Sequence, residues 1–189
     1  MKTIRRFALS VLVLGAAPAA WAHPDGLLQA SFAAAFAHPF TGLDHALVMV
    51  GIGLWAARQG GVRTWQIPAA FVVTMLFAAF AAPALLTGDW VERALVASVV
   101  ATGLLLAVER RLAPAGAIAA GALLAVAHGL AHGVELPLAA RPSLGFAFAA
   151  ATALLHGLGV LCAPLVGPGG VRRIGLATAL GATGWALLG

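Results

Sequence analysis

Charged residues are scarce in this sequence. Asp, Glu, Lys and Arg together form 9% of the 189 residues, whereas 62% of the residues are hydrophobic. A soluble domain carries roughly 25% charged residues, so the deficit is typical of a polytopic membrane protein, and we predict an all-α bundle of transmembrane helices. The formal net charge of +5 comes from basic residues scattered in ones and twos. Such residues orient a protein in the membrane and do not indicate nucleic-acid binding.

Cysteine is almost absent as well. The single Cys162 excludes an intramolecular disulfide and a zinc–thiolate cluster, and we interpret it as a small residue packed in an apolar run.

The sequence also lacks the G-x-x-x-x-G-K-S/T loop that binds nucleotide phosphates, so ATP does not drive this chain directly. It contains no large polar domain of the kind expected in a metal chaperone.

The first 22 residues have the pattern of a secretory signal peptide. Three basic residues precede a short apolar run at 7–14, and Ala-Trp-Ala at 20–22 is an A-x-A type cleavage site. Cleavage there would leave His23 as the mature N-terminus, so we predict a signal peptide at 1–22 and one transmembrane domain at 23–189. The alternative is an uncleaved first helix, because short anchors and signal peptides overlap in pattern.

Six apolar stretches follow, and between them lie turn signals or charged residues. We predict six membrane spans at 42–57, 67–86, 91–108, 114–132, 143–165 and 174–188, with a Gly- and Pro-rich loop at 166–173. If the N-terminus lies outside, the cytoplasmic loops hold Arg58, Arg63, Arg110, Arg111, Arg172 and Arg173, and the outer loops hold Arg93 and Arg141. This distribution agrees with the positive-inside rule. We therefore predict a multi-pass protein of the bacterial inner membrane with a periplasmic mature N-terminus.

A first polar motif lies where the first predicted span begins. Residues 38–45 read His-Pro-Phe-Thr-Gly-Leu-Asp-His. We expect Pro39 and Gly42 to bracket the helix start, because proline is tolerated at the first helical position. His38 would then precede the helix, and Asp44 in the first turn would suit the positive end of the helix dipole.

A second polar motif, His128-Gly-Leu-Ala-His132-Gly-Val-Glu135, ends the fourth span. Residues three, four and seven apart share one face of a helix, so the two histidines and the glutamate would form one stripe. Gly129 and Gly133 narrow the helix and let another helix approach closely. In the predicted topology the fourth span runs outward, so both motifs would lie at the outer face of the membrane.

The two motifs together provide four imidazoles and two carboxylates. Protonatable groups in a membrane span are costly and usually functional, and a nitrogen–oxygen ligand set suits Ni, Zn, Cu or Fe better than Mg or Ca. Without thiolates, Cu(I) is disfavoured. We therefore predict a site for a divalent transition metal formed by His38, Asp44, His45, His128, His132 and Glu135. His156 inside the fifth span would be a deeper station or a proton relay, and His23 and Met49 are weaker candidates.

Each candidate also has an ordinary structural role. Histidines in a span can pack and hydrogen-bond a backbone carbonyl, an acid can cap a helix or pair with an arginine, and a methionine can fill the core. An exposed terminal histidine is usually solvated. These structural alternatives stay open for His128, His132, His156, Asp44, Met49 and His23. The alternative for Glu135 is a pairing with Arg141 in a loop.

At these two motifs the sequence resembles the HupE/UreJ family of small bacterial membrane proteins, whose motifs are H-x5-D-H and H-G-x-x-H-G-x-E. The segment 155–159, Leu-His-Gly-Leu-Gly, is also similar to the family, and the resemblance covers the mature chain. The resemblance implies an energy-independent nickel permease associated with hydrogenase or urease gene clusters. It implies that the motif residues His38, Asp44, His45, His128, His132 and Glu135 carry the function.

The predicted function is therefore secondary import of nickel, or of cobalt, from periplasm to cytoplasm. The ion would be a substrate, not a tightly bound cofactor, and the chain would not be an enzyme. The lipid bilayer and the metal ion would be its direct partners, a hydrogenase or urease maturation system an indirect one, and a homo-oligomer stays open. Two alternatives remain: an intramembrane zinc hydrolase, in which the metal activates water, and a non-transporting assembly factor for a metallocentre.

Overall fold

The computed structural model of this chain describes residues 31–85, 90–108, 110–135 and 142–188. Within these ranges the chain forms six helices and no strand, which confirms the predicted all-α bundle. The helices are α1 (Phe32–Thr41), α2 (Leu43–Gln59), α3 (Arg63–Leu85), α4 (Trp90–Ala107), α5 (Pro114–Glu135) and α6 (Pro142–Leu188). The predicted signal peptide and His23 lie outside the described residues and stay predictions.

The helices have the length and apolarity of membrane spans. Helices α3, α4, α5 and α6 are each long and apolar enough to cross a bilayer, and α1 and α2 form a bent pair with an angle of 78°. Large apolar side chains such as Phe77 and Leu123 are exposed on the outside of the bundle, where a soluble protein would carry polar residues. The chain is therefore a multi-pass membrane protein.

The predicted loop at 166–173 is wrong in extent. Helix α6 runs through this stretch and is interrupted at one residue, Gly167, whose φ of 68° and ψ of 167° are not helical. Glycine adopts a positive φ without steric cost, and Pro168 follows as the first residue of the next helical segment, where proline is tolerated. A single glycine therefore separates the parts of α6 that correspond to the predicted fifth and sixth spans.

The predicted start of the first span is also wrong in part. Pro39 does not begin a helix but lies inside α1, and His38 is therefore helical. Helix α1 begins earlier because the Ser31 side chain caps it, accepting a hydrogen bond from the backbone N–H of Ala34 at 3.1 Å. Pro39 falls in the last turn of this short helix, so its missing N–H costs only one intrahelical hydrogen bond. The break between α1 and α2 occurs at Gly42, which is where the first span was predicted to begin.

Close backbone contacts hold α5 against α3. A Cβ atom built on Gly129 or Gly133 would collide with the carbonyl oxygen of Met75 or of Ala79 respectively. The prediction that these glycines admit a neighbouring helix is confirmed. Because the two backbones touch, the rotation of α5 about its axis is strongly constrained.

Helix α6 makes similar contacts with two different partners. Gly53 of α2 packs against Gly159 in the first part of α6, and Gly103 of α4 packs against Gly175 in the second part. The two parts of α6 therefore occupy different places in the bundle. The core between these helices contains large apolar side chains, of which Trp55 is among the most deeply buried.

Basic residues lie at the opposite end of α2 from the first motif. Arg58 donates a hydrogen bond from Nη1 to the carbonyl oxygen of Leu106 at 2.7 Å, and Arg63 donates one to Leu112 at 3.0 Å. These bonds attach the turn between α2 and α3 to the end of α4 and to the segment that follows. Since His45 lies in the first turn of the same helix, Arg58 is about 20 Å from it along the helix axis at 1.5 Å per residue.

Candidate metal centre

Three histidines from three helices converge at one end of the bundle. His38 of α1, His45 of α2 and His132 of α5 each offer a ring nitrogen, and these nitrogens all lie within 4.8 Å of one another. The ring centroids are 5.6 Å apart for His38 and His45, 5.6 Å for His38 and His132, and 4.6 Å for His45 and His132. The structure therefore brings together residues from both sequence motifs.

The bend at Gly42 explains how His38 reaches His45. On one straight helix, residues seven apart are separated by about 10 Å along the axis. The 78° angle between α1 and α2 folds the first histidine back toward the second. Gly42 also leaves room for the pair, because a Cβ atom there would lie 3.0 Å from His45 Nδ1 and 3.1 Å from Asp44 Oδ1.

Asp44 and His45 are in close contact at the rim of the cluster. The Asp44 Oδ1 atom lies 2.8 Å from His45 Nδ1, and the side chains are 41% and 6% exposed respectively. A carboxylate beside Nδ1 favours a proton on that nitrogen and leaves Nε2 with the lone pair that a metal needs. Asp44 is therefore placed to orient His45, and its predicted role as a direct ligand stays a prediction.

His128 lies beside the three clustered histidines without belonging to them. Its ring is fully buried and its centroid is 5.1 Å from that of His45. Its Nε2 atom is 2.9 Å from the hydroxyl oxygen of Ser98 on α4. The sequence analysis did not identify Ser98. A serine in an apolar span is a signal of a polar contact, yet nothing local in the sequence connects it with α5.

Two phenylalanine rings enclose the histidines. Phe148 of α6 lies 4.0 Å from the His132 ring and 5.4 Å from the His38 ring, measured between centroids. Phe71 of α3 lies 5.9 Å from the ring of His128. Both phenylalanines are buried, so apolar walls surround the imidazoles. Neither residue was identified from the sequence, because a phenylalanine in a membrane span is ordinary.

His156 lies deeper in the bundle and packs against Phe71. Its ring centroid is 4.9 Å from that of Phe71 in an edge-to-face arrangement. Its backbone packs against Gly53, which is about 12 Å along α2 from His45 at 1.5 Å per residue. Among the described residues, neither ring nitrogen of His156 has a hydrogen-bond partner. The ring of Phe71 therefore contacts both His156 and His128.

The remaining candidates are placed as follows. Met49 is fully buried in the apolar core between the helices, which agrees with its structural interpretation. Cys162 is half-buried and packs against the same core, as expected for a small apolar residue. Helix α5 extends to Glu135, and nothing further is described of that side chain. His23 lies outside the described residues.

The geometry of the cluster suits a transition-metal ion. Imidazole nitrogen binds Ni, Zn, Cu and Fe, with a zinc–nitrogen distance of about 2.0–2.1 Å. Three nitrogens around one tetrahedral ion at that distance are about 3.4 Å apart, so nitrogens that lie within 4.8 Å of one another need to approach by up to about 1.4 Å. Three protein nitrogens leave coordination positions for water or another side chain, which permits exchange of the ion.

Comparisons with known proteins agree with the two motifs. The family model described as HupE / UreJ protein matches residues 11–187. Protein HupE of Rhizobium leguminosarum bv. viciae is 40% identical over 145 residues, which cover 76% of this chain and 73% of that protein. No solved structure matches this chain. A match over almost the whole sequence, including both histidine motifs, shows that the chain belongs to the HupE/UreJ family.

Proposed function

We propose that this protein is a secondary transporter that carries a divalent transition-metal ion, nickel or otherwise cobalt, from the periplasm to the cytoplasm. The imported ion would supply the maturation of a hydrogenase or urease. The observation that carries the proposal is the convergence of His38, His45 and His132 from three helices at one end of a membrane helix bundle. Ionisable residues in membrane spans usually mark an ion pathway.

The order of polar groups along the bundle supports an ion pathway. Asp44 is partly exposed at the rim, the three clustered histidines lie next to it, and His128 adjoins them in the interior. His156 follows deeper in the bundle, and the ring of Phe71 contacts both His128 and His156. In the proposal the ion binds first to the clustered histidines, and Glu135 completes this outer set. His156 serves as a deeper station.

The membrane potential is sufficient to drive accumulation without ATP. A divalent ion that enters a negative interior gains about 4.6 kcal/mol per 100 mV, which is twice the value for a single charge. The main cost is removal of water from the ion. Imidazole nitrogens at the outer site replace part of that water, and their incomplete ligand set leaves the ion exchangeable.

A zinc hydrolase is the second candidate, because a set of three histidines with an open position is also found in catalytic zinc sites. The two functions differ in how they hold the metal. A hydrolase keeps zinc through dialysis in stoichiometric amount, whereas a transporter releases its ion. Metal analysis of the purified protein after dialysis against buffer distinguishes them.

A flux assay in proteoliposomes tests the proposal. The purified protein is reconstituted, a potassium diffusion potential is set, and uptake of nickel, cobalt, zinc and magnesium is measured. We expect potential-dependent nickel uptake by the wild-type protein, and loss of that uptake in His45→Ala. Thr183→Ala is the control, because its hydroxyl donates a hydrogen bond to Ala179 of its own helix, and it should transport normally.

Two outcomes contradict the proposal. Nickel binding by the wild-type protein without any flux would favour an assembly factor. Uptake by His45→Ala at the wild-type rate would exclude the clustered histidines from the pathway.

A further inference from the structure

Ser98 makes two short contacts from a helix that contributes no histidine to the metal centre. Its hydroxyl oxygen lies 2.6 Å from the carbonyl oxygen of Leu95, one turn earlier in α4, and 2.9 Å from Nε2 of His128 in α5. The Ser98 residue is 4% exposed, so water does not compete for these contacts. The hydroxyl therefore joins the α4 backbone to one particular nitrogen of His128.

The direction of both hydrogen bonds follows from the chemistry of the groups. A serine hydroxyl has one hydrogen to donate, and a carbonyl oxygen can only accept. The 2.6 Å contact with Leu95 must therefore use the hydroxyl hydrogen. Ser98 then has only lone pairs to offer His128, so Nε2 of His128 is the donor and carries the hydrogen.

The other nitrogen of His128 is therefore the one with a lone pair. A neutral imidazole carries one N–H, and only a neutral imidazole binds a metal. The Nδ1 atom of His128 is buried and has no hydrogen-bond partner in the part of the chain that the structure describes. The ring of His128 stands at 87° to the ring of His45 and adjoins the clustered histidines.

We propose that Ser98 is a positioning residue that holds His128 in the Nε2–H tautomer, so that Nδ1 is the nitrogen that contacts the transported ion. This inference rests on the proposed transport of a divalent metal. It extends the candidate site to α4, which supplies no ligand of its own.

His128 and His45 would then bind the ion through opposite nitrogens. Asp44 contacts Nδ1 of His45 and leaves Nε2 for the ion, whereas Ser98 contacts Nε2 of His128 and leaves Nδ1. The two partners also differ in charge. A carboxylate raises the basicity of the imidazole that it contacts, and a neutral hydroxyl does so less. His128 is therefore the weaker ligand of the two, which suits an ion that must move on.

The tautomer of His128 can be read directly by nitrogen NMR. The protein is labelled with ¹⁵N-histidine and reconstituted in lipid, and the His128 signals are identified as those that disappear in His128→Asn. We expect a protonated Nε2 and an unprotonated Nδ1 in the wild-type protein, and a shift of the Nδ1 signal when Zn²⁺, a diamagnetic probe, is added. In Ser98→Ala we expect a mixture of tautomers.

Nickel binding at equilibrium provides the second measurement. Loss of a residue that orients a metal ligand typically weakens affinity about 10- to 100-fold, and we expect a loss in that range for Ser98→Ala. Ser98→Thr keeps the hydroxyl and should retain the wild-type tautomer. Thr183→Ala, which removes a hydroxyl that donates to Ala179 at 2.8 Å, should bind nickel normally.

Either of two results overturns the inference. One is a wild-type His128 with its proton on Nδ1. The other is wild-type nickel affinity in a folded Ser98→Ala protein. Both measurements are made at equilibrium and need no flux, so a protein that binds nickel through His128 but transports nothing would contradict the proposed transport and leave the role of Ser98 supported.

Discussion

His45 and His128 are both buried and their rings are adjacent. Each has a polar neighbour at one of its two ring nitrogens, and the two neighbours differ. Asp44 lies beside Nδ1 of His45, and Ser98 lies beside Nε2 of His128. At the scale of the residue, the group that contacts one ring nitrogen decides whether the other ring nitrogen is available to an ion. A sequence motif that specifies only the residue type does not contain this information.

The contact between Asp44 and His45 leads to a prediction at this scale. Asp44→Asn keeps the shape of the side chain and removes its charge, so the proton on Nδ1 of His45 is held less firmly and the imidazole becomes a poorer ligand. We expect nickel affinity, measured by titration of the purified protein, to fall by about 10- to 100-fold. Glu92→Gln, which removes an acid from the first turn of α4, is the control and should leave affinity unchanged. An unchanged affinity in Asp44→Asn would show that the carboxylate neither binds the ion nor orients His45.

At the scale of the helix, glycine contacts decide how the histidine-bearing segments are placed. Helix α5 presents Gly129 and Gly133 to α3 and, on its adjoining face, His128 and His132 to the metal centre. The motif H-G-x-x-H-G thus combines the glycines that pack against α3 with histidines of the candidate metal centre. Because the backbones touch, the histidines cannot rotate away without separating the two helices.

A pair of matched substitutions in α5 tests this placement. In Gly129→Ala the new methyl group would collide with the Met75 carbonyl oxygen and the Ala78 side chain, whereas a methyl group at Gly116 meets no atom within 4 Å. Alanine gains up to about 1 kcal/mol over glycine in a helix, but overpacking costs about 1–3 kcal/mol. We expect thermal unfolding in detergent to show a lower midpoint for Gly129→Ala and an equal or higher midpoint for Gly116→Ala. Equal midpoints for both variants would mean that α3 and α5 are not in close contact.

At the scale of the whole molecule, the two ends of the bundle carry different kinds of side chain, with histidines at one end and arginines toward the other. The clustered histidines lie at the end of the bundle where α2 begins, and the arginines that bond to Leu106 and Leu112 lie near the other end of α2. The positive-inside rule assigns the arginine end to the cytoplasm. In the proposed orientation, the histidines therefore open toward the periplasm and the ion moves toward the arginine end.

Site-specific labelling tests this orientation. In a Cys162→Ala background, Leu43→Cys places a thiol at the histidine end of α2 and Val62→Cys places one at the arginine end. Both native side chains are exposed, by 54% and 73% respectively. We expect a membrane-impermeant maleimide to label position 43 from the periplasmic side and position 62 only in inverted membrane vesicles. The reverse pattern would contradict import by the proposed route.

Much of the bundle was predictable because its signals are local. Apolar runs and charged or glycine-rich interruptions predicted the first four spans to within a few residues. The spacing of the second motif predicted a shared face for His128 and His132, whose rings both adjoin His45, and the place of Glu135 on that face stays a prediction. Two local signals were misinterpreted. Pro39 was assigned to a helix start although Ser31 starts that helix earlier, and the stretch 166–173 was assigned to a loop although Gly167 alone breaks the helix.

The sequence by itself determined the class of the protein, its apolar helices, and the kinds of side chain available to a metal, because hydrophobicity and helical spacing are properties of contiguous residues. Only the tertiary structure decided that His38, His45 and His132 form the closest set, that Ser98 faces His128, and that the ring of Phe71 contacts both His128 and His156. These relations join residues on different helices. They depend on how each helix is rotated and how closely it packs, and those quantities are set by backbone contacts between helices that are distant in the chain.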